Sequence, residues 1–301
     1  LDDGFVPGQA IKPSLMHRAL KLALNIAGGL LSLAGVAFVG IRLSGYMAEI
    51  DLARFHWKAW LLAGFFALVY GTANTLLARA WWNLMEFLKA PAGWGWAWRI
   101  YGVSQLAKYV PGNIFHLASR QALSMAAGFE GWMLAKSTVW ELGLLVLAGV
   151  MFFGLILDLL FPSLPFFAPL LVFVGVFLSV EAGLRCWSAP SIARALAWQW
   201  VFLIISGLVF VGVLALVAPQ SVNFALLPTF CGSYVIAWLA GLVTPGAPAG
   251  VGVRELVLLY LLEGYVMETN LLLAVVLGRL VTVAGDLLFF CMASTARTGK
   301  G

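Results

Sequence analysis

The stretch TPGAPAGVGVRE, running from Thr244 to Glu255, decides how this chain is read. It sets two prolines, three glycines and then Arg254 and Glu255 between two apolar segments, Phe224 to Val243 and Val257 to Val266. Pro245 removes a backbone donor, and Gly246, Gly250 and Gly252 permit backbone angles closed to other residues, so a helix entering here must break. What surrounds the break follows from composition. Of 301 residues, 62% are hydrophobic and only 10% charged, with a mean hydropathy of +0.98. A soluble domain carries roughly a quarter charged residues, and several runs here reach the roughly 20 apolar residues that cross a bilayer as helix. The reading is an all-α polytopic membrane protein without a large water-soluble domain.

The net charge of +5 then reflects cationic residues at the cytoplasmic ends of spans, and nucleic acid is not an expected partner. Cys186, Cys231 and Cys291 lie far apart in apolar surroundings and read as buried free thiols. No metal or cofactor site is expected. Leu22 to Leu43 follows Lys12, Arg18 and Lys21 and is longer than a signal-peptide core, so it reads as an uncleaved first span. The chain opens on Leu1 and not on Met, which places the expected natural start upstream.

Full-length spans are expected at about 22–43, 58–80, 131–160, 165–185, 194–217 and 269–296. Two further regions, 94–128 and 224–266, are hydrophobic but interrupted, each resembling two helical pieces joined at Pro-Gly. Val251 to Val266 would rise only about 24 Å as helix, short for a bilayer, which favours re-entrant or discontinuous helices. Lys12, Arg18 and Lys21, then Lys89 with Arg99, Arg185 with Arg194, and Arg297 with Lys300 mark cytoplasmic ends, giving both termini inside. Residues 1–21 and 297–301 are then cytoplasmic tails, in a bacterial inner membrane.

The first interrupted region contains KYVPGNIFHLASRQ, Lys108 to Gln121. In both regions Pro-Gly is followed by seven residues and an arginine: Pro111-Gly112 leads to Arg120, and Pro245-Gly246 to Arg254. Two spans precede each broken region and one follows it. The charge pattern has the first entered from the cytoplasm and the second from outside. Residues 22–160 and 165–296 thus read as an inverted-topology repeat, an arrangement in which transporters bind substrate at broken helices near the midplane.

Non-helical backbone at membrane depth must be buried in protein or line a wet cavity. The N-terminus of each restarted helix offers free N–H groups to an anion, and Lys108, Arg120 and Arg254 stand nearby. The alternative is that the breaks are packing kinks whose arginines snorkel to the interface. Glu141, Arg279 and Asp286 lie deep in spans, where charges pair or mark a substrate path. Arg279 and Asp286, seven apart, share a helix face. A pair across the repeat, Glu141 with Arg279 or Arg254, is expected, as strut or gate. His116 is either a phosphate ligand, a proton carrier or a packing residue. Trp81, Trp82, Trp94, Trp96 and Trp98 read as an aromatic belt at a membrane boundary. No catalytic motif is found: G-x-S-x-G, HExxH and a suitable aspartate pair are all missing from the sequence.

These segments resemble the two signatures of the lysylphosphatidylglycerol synthase transmembrane (flippase-like) family, roughly K-Y-hydrophobic-P-G with a downstream Arg, and P-G-G-x-G-V-R-E. The resemblance spans about residues 20 to 296, and the second signature departs from the pattern at Ala247 and Pro248. Residue by residue it carries Lys108, Pro111, Gly112, Arg120, Glu141, Pro245, Gly246, Gly250, Gly252, Arg254, Glu255 and Arg279 into the candidate site. In bifunctional members this membrane domain moves an aminoacylated phospholipid between leaflets, while a separate soluble domain makes it. The resemblance therefore implies lipid translocation without aminoacyl transfer.

The expected function is a flippase or scramblase for an anionic phospholipid or polyprenyl-phosphate-linked glycolipid. Lys108, Arg120, Arg254, Arg279 and His116 would bind the head group. Glu141, Glu255 and Asp286 would orient those cations or exchange partners. No nucleotide-binding loop is present in the sequence, so movement is expected to be passive or ion-coupled. The other readings are a membrane-embedded enzyme or accessory subunit of cell-envelope glycan or lipid synthesis, and a structural partner of such enzymes.

Overall fold

The structure, a computed structural model, describes residues 22–24, 26, 30, 55–90, 92–110, 114–165, 167–186, 190–244 and 252–295. Among them every regular element is helical. In chain order these are α1 (Trp57–Phe87), α2 (Trp94–Gln105) with a 3₁₀ turn (Leu106–Tyr109), α3 (Phe115–Ala126) and α4 (Gly131–Met151). A second 3₁₀ turn (Phe152–Ile156) joins α4 to the short α5 (Leu157–Leu160). Then come α6 (Ala168–Cys186), α7 (Pro190–Val217), α8 (Leu227–Val243), α9 (Val253–Leu261) and α10 (Glu268–Thr295).

Among the described residues six segments are long and apolar enough to cross a membrane: Trp57–Phe87, Gly131–Leu160, Ala168–Cys186, Pro190–Val217, Phe224–Val243 and Glu268–Thr295. Phe224–Val243 is a difference from expectation. It reaches 20 residues and so has the length of a span, where half of a short broken hairpin was anticipated. Only α9 beyond the break is short: nine residues rise about 14 Å. The first interrupted region does divide into short pieces, α2 and α3, of 12 residues each. Of the anticipated first span, Leu22, Ala23, Leu24, Ile26 and Leu30 are helical and the remainder lies outside the described residues, as do Pro111, Gly112, Pro245, Gly246 and Gly250.

Local chemistry explains where helices stop. After α1 the Lys89 N–H returns to the Glu86 carbonyl (3.0 Å) and the Ala90 N–H to the Met85 carbonyl (2.9 Å), with Lys89 left-handed at φ 57°. This is a Schellman cap, and Pro91 in the sequence bars continuation. After α3 the same pattern recurs, Gly128 to Met125 (2.9 Å) and Phe129 to Ser124 (3.2 Å). The two caps lie side by side around a shallow depression at one end of the bundle.

α1 is the central strut, packing along α7 and α10, while α10 also contacts α2, α7 and α9. The α1–α10 crossing is as close as helices come. A Cβ built on Gly71 would lie 2.7 Å from the Gly285 carbonyl oxygen, and one on Gly285 would lie 2.7 Å from that of Ala67. Without side chains between them the backbones touch, the small-residue packing that membrane helices use in place of a hydrophobic drive. α8 packs on the Phe152–Ile156 turn, α7 and α9. α6 is peripheral: only 17% of its apolar window is buried, against 44–56% in the other five. Leu170, Leu171, Val172, Val176 and Leu178 stay exposed on it, a continuous apolar surface suited to lipid.

Two other expectations are corrected. Trp81 is buried in the core, 1% exposed, and so presents no ring surface to an interface; its indole N–H donates to Ser137 Oγ at 3.2 Å. Trp82 and Trp94 are partly buried and sandwich Arg79, whose guanidinium lies 4.4 and 4.9 Å from their ring centroids. The rings thus bind α1 to α2, because each indole finds a protein partner for its N–H or its face. Of the three thiols only Cys231 is buried; Cys186 and Cys291 are exposed near the ends of α6 and α10.

Candidate functional site

Between these helices lies a cavity of about 120 Å³, room for several waters or a phosphate-sized group. Tyr70 and Leu77 of α1, Leu142 and Leu145 of α4, Phe202 of α7, and Trp238 and Leu242 of α8 give it apolar walls. Polar groups converge from the other elements: Gln105 and, from the 3₁₀ turn, Lys108 and Tyr109; His116 of α3; Arg254 of α9; and Arg279, Thr282 and Asp286 of α10. A narrower recess of about 20 Å³ adjoins it and shares Arg254, Arg279 and Thr282. The spacing of Arg279 and Asp286, two turns of one helix, does bring both to one face.

Asp286 is the best-supported acid in the site. It is fully buried and its Oδ1 accepts from Asn74 Nδ2 at 3.2 Å. Its Oδ2 accepts from the Tyr109 hydroxyl and from Lys108 Nζ at 2.7 Å. Asn74 is held in turn by Gln105 Nε2, which donates to Asn74 Oδ1 at 3.2 Å. The Gly71–Gly285 contact makes this possible. Asn74 stands one turn beyond Gly71, and Asp286 follows Gly285, so the tight crossing brings two short side chains within bonding reach. Lys108 remains 21% exposed toward the cavity.

Arg279 pairs with Glu255, with Nη2 at 2.6 Å and Nε at 2.9 Å from the Oε1 atom. Glu255 Oε2 also accepts from the Gly252 N–H at 2.8 Å, so one carboxylate both orients Arg279 and caps α9. This alters the expectation for the restarted helix: the anion at its N-terminus is the chain's own Glu255. Gly252 itself sits at φ 87°, left-handed geometry that glycine adopts at no steric cost.

Arg254 differs from the other cations. Among the described residues no carboxylate pairs with it, and its Nε is buried without a hydrogen-bond partner. Its guanidinium stands 5.9 Å from the Trp238 ring centroid, near the outer limit of a cation–π contact. His116 Nδ1, in the same cavity, likewise has no partner. Two polar side chains left unsatisfied in one cavity point to a polar ligand, one that supplies an acceptor to Arg254, since such groups cost about 1–3 kcal/mol each when orphaned.

Arg120 and Glu141 do not line the cavity. The two form a closed pair, 3% and 5% exposed. Arg120 Nη1 donates to Glu141 Oε1 at 3.1 Å and Nη2 to Oε2. The Tyr101 hydroxyl donates to Oε1 at 3.0 Å. The rings of Trp81 and Tyr101 flank the guanidinium at 5.0 and 4.4 Å. The anticipated pairing of Glu141 with Arg279 or Arg254 is therefore not what forms. Glu141 and Glu255 each pair close by in sequence instead, with Arg120 and Arg279, and the charges are exchanged: the helix after the break brings the cation in one case and the acid in the other, while the pair that joins the two parts of the chain is Lys108 with Asp286. Proximity explains the first two pairs, because α3 packs on α4 and α9 on α10.

Tyr70, Asn74, Gln105, Tyr109 and Trp238 belong to the site or its support although the charge pattern does not single them out. Signals were present for three of them. Tyr109 follows Lys108 within the quoted segment, Gln105 precedes it by about one turn, and Asn74 is a lone amide deep in an apolar span. Among the described residues no group of three or more His, Cys, Asp or Glu side chains could hold a metal ion. Comparison with protein-family models, with curated proteins and with solved structures finds no match for this chain.

Proposed function

We propose that this protein moves a lipid with an anionic, phosphate-bearing head group between membrane leaflets. The single observation that carries the reading is Arg254: a guanidinium facing a cavity between membrane-length helices, with no acid paired to it among the described residues. Charge at such depth is costly unless paired, and a phosphate oxygen is the partner whose geometry suits a planar fork of donors. Lys108 and Arg279 stand ready on adjoining walls, and the apolar walls suit the first carbons of the lipid. Resemblance of the two Pro-Gly segments to the flippase-like family supports the same direction.

In this proposal the two halves form an inverted repeat, with 94–128 and 224–266 as its opposed broken hairpins. The membrane is the bacterial inner membrane and both termini are cytoplasmic. Movement is passive or ion-coupled. The test is reconstitution of the purified protein into liposomes carrying a labelled phospholipid or a labelled polyprenyl-phosphate sugar. Wild type accelerates exchange between leaflets. Arg254→Gln removes one charge-assisted bond of about 1.5–3 kcal/mol, slowing exchange by about ten- to a hundredfold at subsaturating lipid. Exchange no faster than in empty liposomes refutes the function, and an unchanged rate in Arg254→Gln refutes the site.

A further inference from the structure

The cavity carries a definite charge, and that charge restricts which phosphate can occupy it. Lys108 is neutralised by Asp286 at 2.7 Å and Arg279 by Glu255 at 2.6 Å. Among the described residues Arg254 has no acidic partner, and its Nε is unsatisfied. With His116 uncharged, the described groups around the cavity therefore leave one positive charge uncompensated.

We infer that the site is matched to a singly charged phosphodiester and selects against phosphomonoesters and diphosphates. The inference rests on the head-group reading above. A phosphodiester, whether of a phospholipid or of a lipid-linked sugar, brings one negative charge and leaves the occupied cavity neutral. A phosphomonoester brings close to two near neutral pH, and a diphosphate more. Compensating the excess would require Lys108 or Arg279 to leave its own carboxylate, which merely transfers the unpaired charge to Asp286 or Glu255. An uncompensated charge in a water-poor interior is heavily penalised. The support around Asp286 argues the same way. Tyr109 and Asn74 hold the carboxylate independently of Lys108, so the acid is fixed as a permanent counter-charge inside the site.

The probes are two lipids with identical acyl chains, phosphatidylmethanol and phosphatidic acid, one a monoanion and the other a dianion at pH 9. Binding to the purified full chain in neutral detergent is read by native mass spectrometry. Wild type is expected to bind phosphatidylmethanol at least about tenfold more tightly, a difference of 1.4 kcal/mol. Asp286→Asn and, separately, Glu255→Gln each add one net positive charge, and glutamine keeps a capping oxygen at the start of α9. Both variants are expected to erase or reverse the preference, so misfolding of one leaves the other to decide. A polyprenyl phosphohexose against its diphosphate counterpart must give the same order. Wild-type binding of phosphatidic acid as tight as phosphatidylmethanol, or a preference unmoved in both variants, overturns the charge rule while leaving the head-group reading intact. Binding of neither lipid overturns both.

Discussion

The Arg120–Glu141 pair distinguishes a strut from a moving part, and a double-mutant cycle can read the difference. At about 3 Å and an effective dielectric constant near 20, two unit charges attract by about 5 kcal/mol. Removing one partner of a buried pair costs about 3–5 kcal/mol, since the other charge is left without compensation. Glu141→Gln keeps the shape and one acceptor oxygen but strands Arg120 between Trp81 and Tyr101, where its 3% exposure denies it water. The expected loss is about 3 kcal/mol, which lowers the midpoint of thermal unfolding by roughly 6–12 °C at a few degrees per kcal/mol. Arg120→Met with Glu141→Leu removes both charges and should recover part of this, up to about 2 kcal/mol. About 1–3 kcal/mol remains lost because the Tyr101 hydroxyl has no acceptor, whereas Gln199 still donates to the backbone carbonyl of residue 141 (3.0 Å). Fluorescence-detected size-exclusion after heating measures both proteins in detergent, and liposome exchange measures function. A single variant as stable as wild type, or a double variant that folds but does not transport, refutes the strut.

Other outcomes follow from single contacts. Gly285→Leu forces side-chain atoms into the Ala67 carbonyl and the Tyr70 ring; it should prevent recovery of folded protein from the membrane, while Gly278→Ala, whose nearest neighbour is 3.9 Å away, should be recovered normally. Gly252→Ala has open space around it but forces a side chain into left-handed backbone, so about 1–2 kcal/mol of stability should be lost, read as a lower thermal midpoint. Thr229→Val strips Asp158 Oδ2 of its 2.6 Å donor while Oδ1 already lacks one, at a cost of about 1–3 kcal/mol. Asp158→Asn in the same background should not add to that loss.

Membrane character was legible from composition alone, because apolar runs of the required length have few other physical explanations. The paired Pro-Gly segments marked Lys108 and Arg254, but as two anion sites, one reachable from each side; that both line one cavity was not legible. Nor was it legible which acid meets which base. Glu141 lies 21 residues from Arg120 and Glu255 lies 24 from Arg279, and periodicity says nothing about how adjacent helices turn their faces. Asn74, Gln105 and Tyr109 each carried a sequence signal, but their joint support of Asp286 did not, for a related reason: which neutral side chains meet becomes clear only once helix crossings are known. The tryptophan cluster misleads in the opposite direction. Indoles concentrated near a span end imitate an interfacial belt, yet Trp81 is drawn inward because Ser137 and Arg120 supply its partners.

The backbone contact between Gly71 and Gly285 has a mechanical consequence. Side chains at an ordinary helix interface can change rotamer and let two helices slide, as in shear motions. Two glycines pressed carbonyl to backbone have nothing to rotate, so α1 and α10 behave as a welded plate carrying Asp286 and Arg279. Any relative motion within the bundle then has to come from elements other than this pair. Asp286 rides on the plate, and through it Lys108 and Tyr109 of the 3₁₀ turn are tied to the same rigid body.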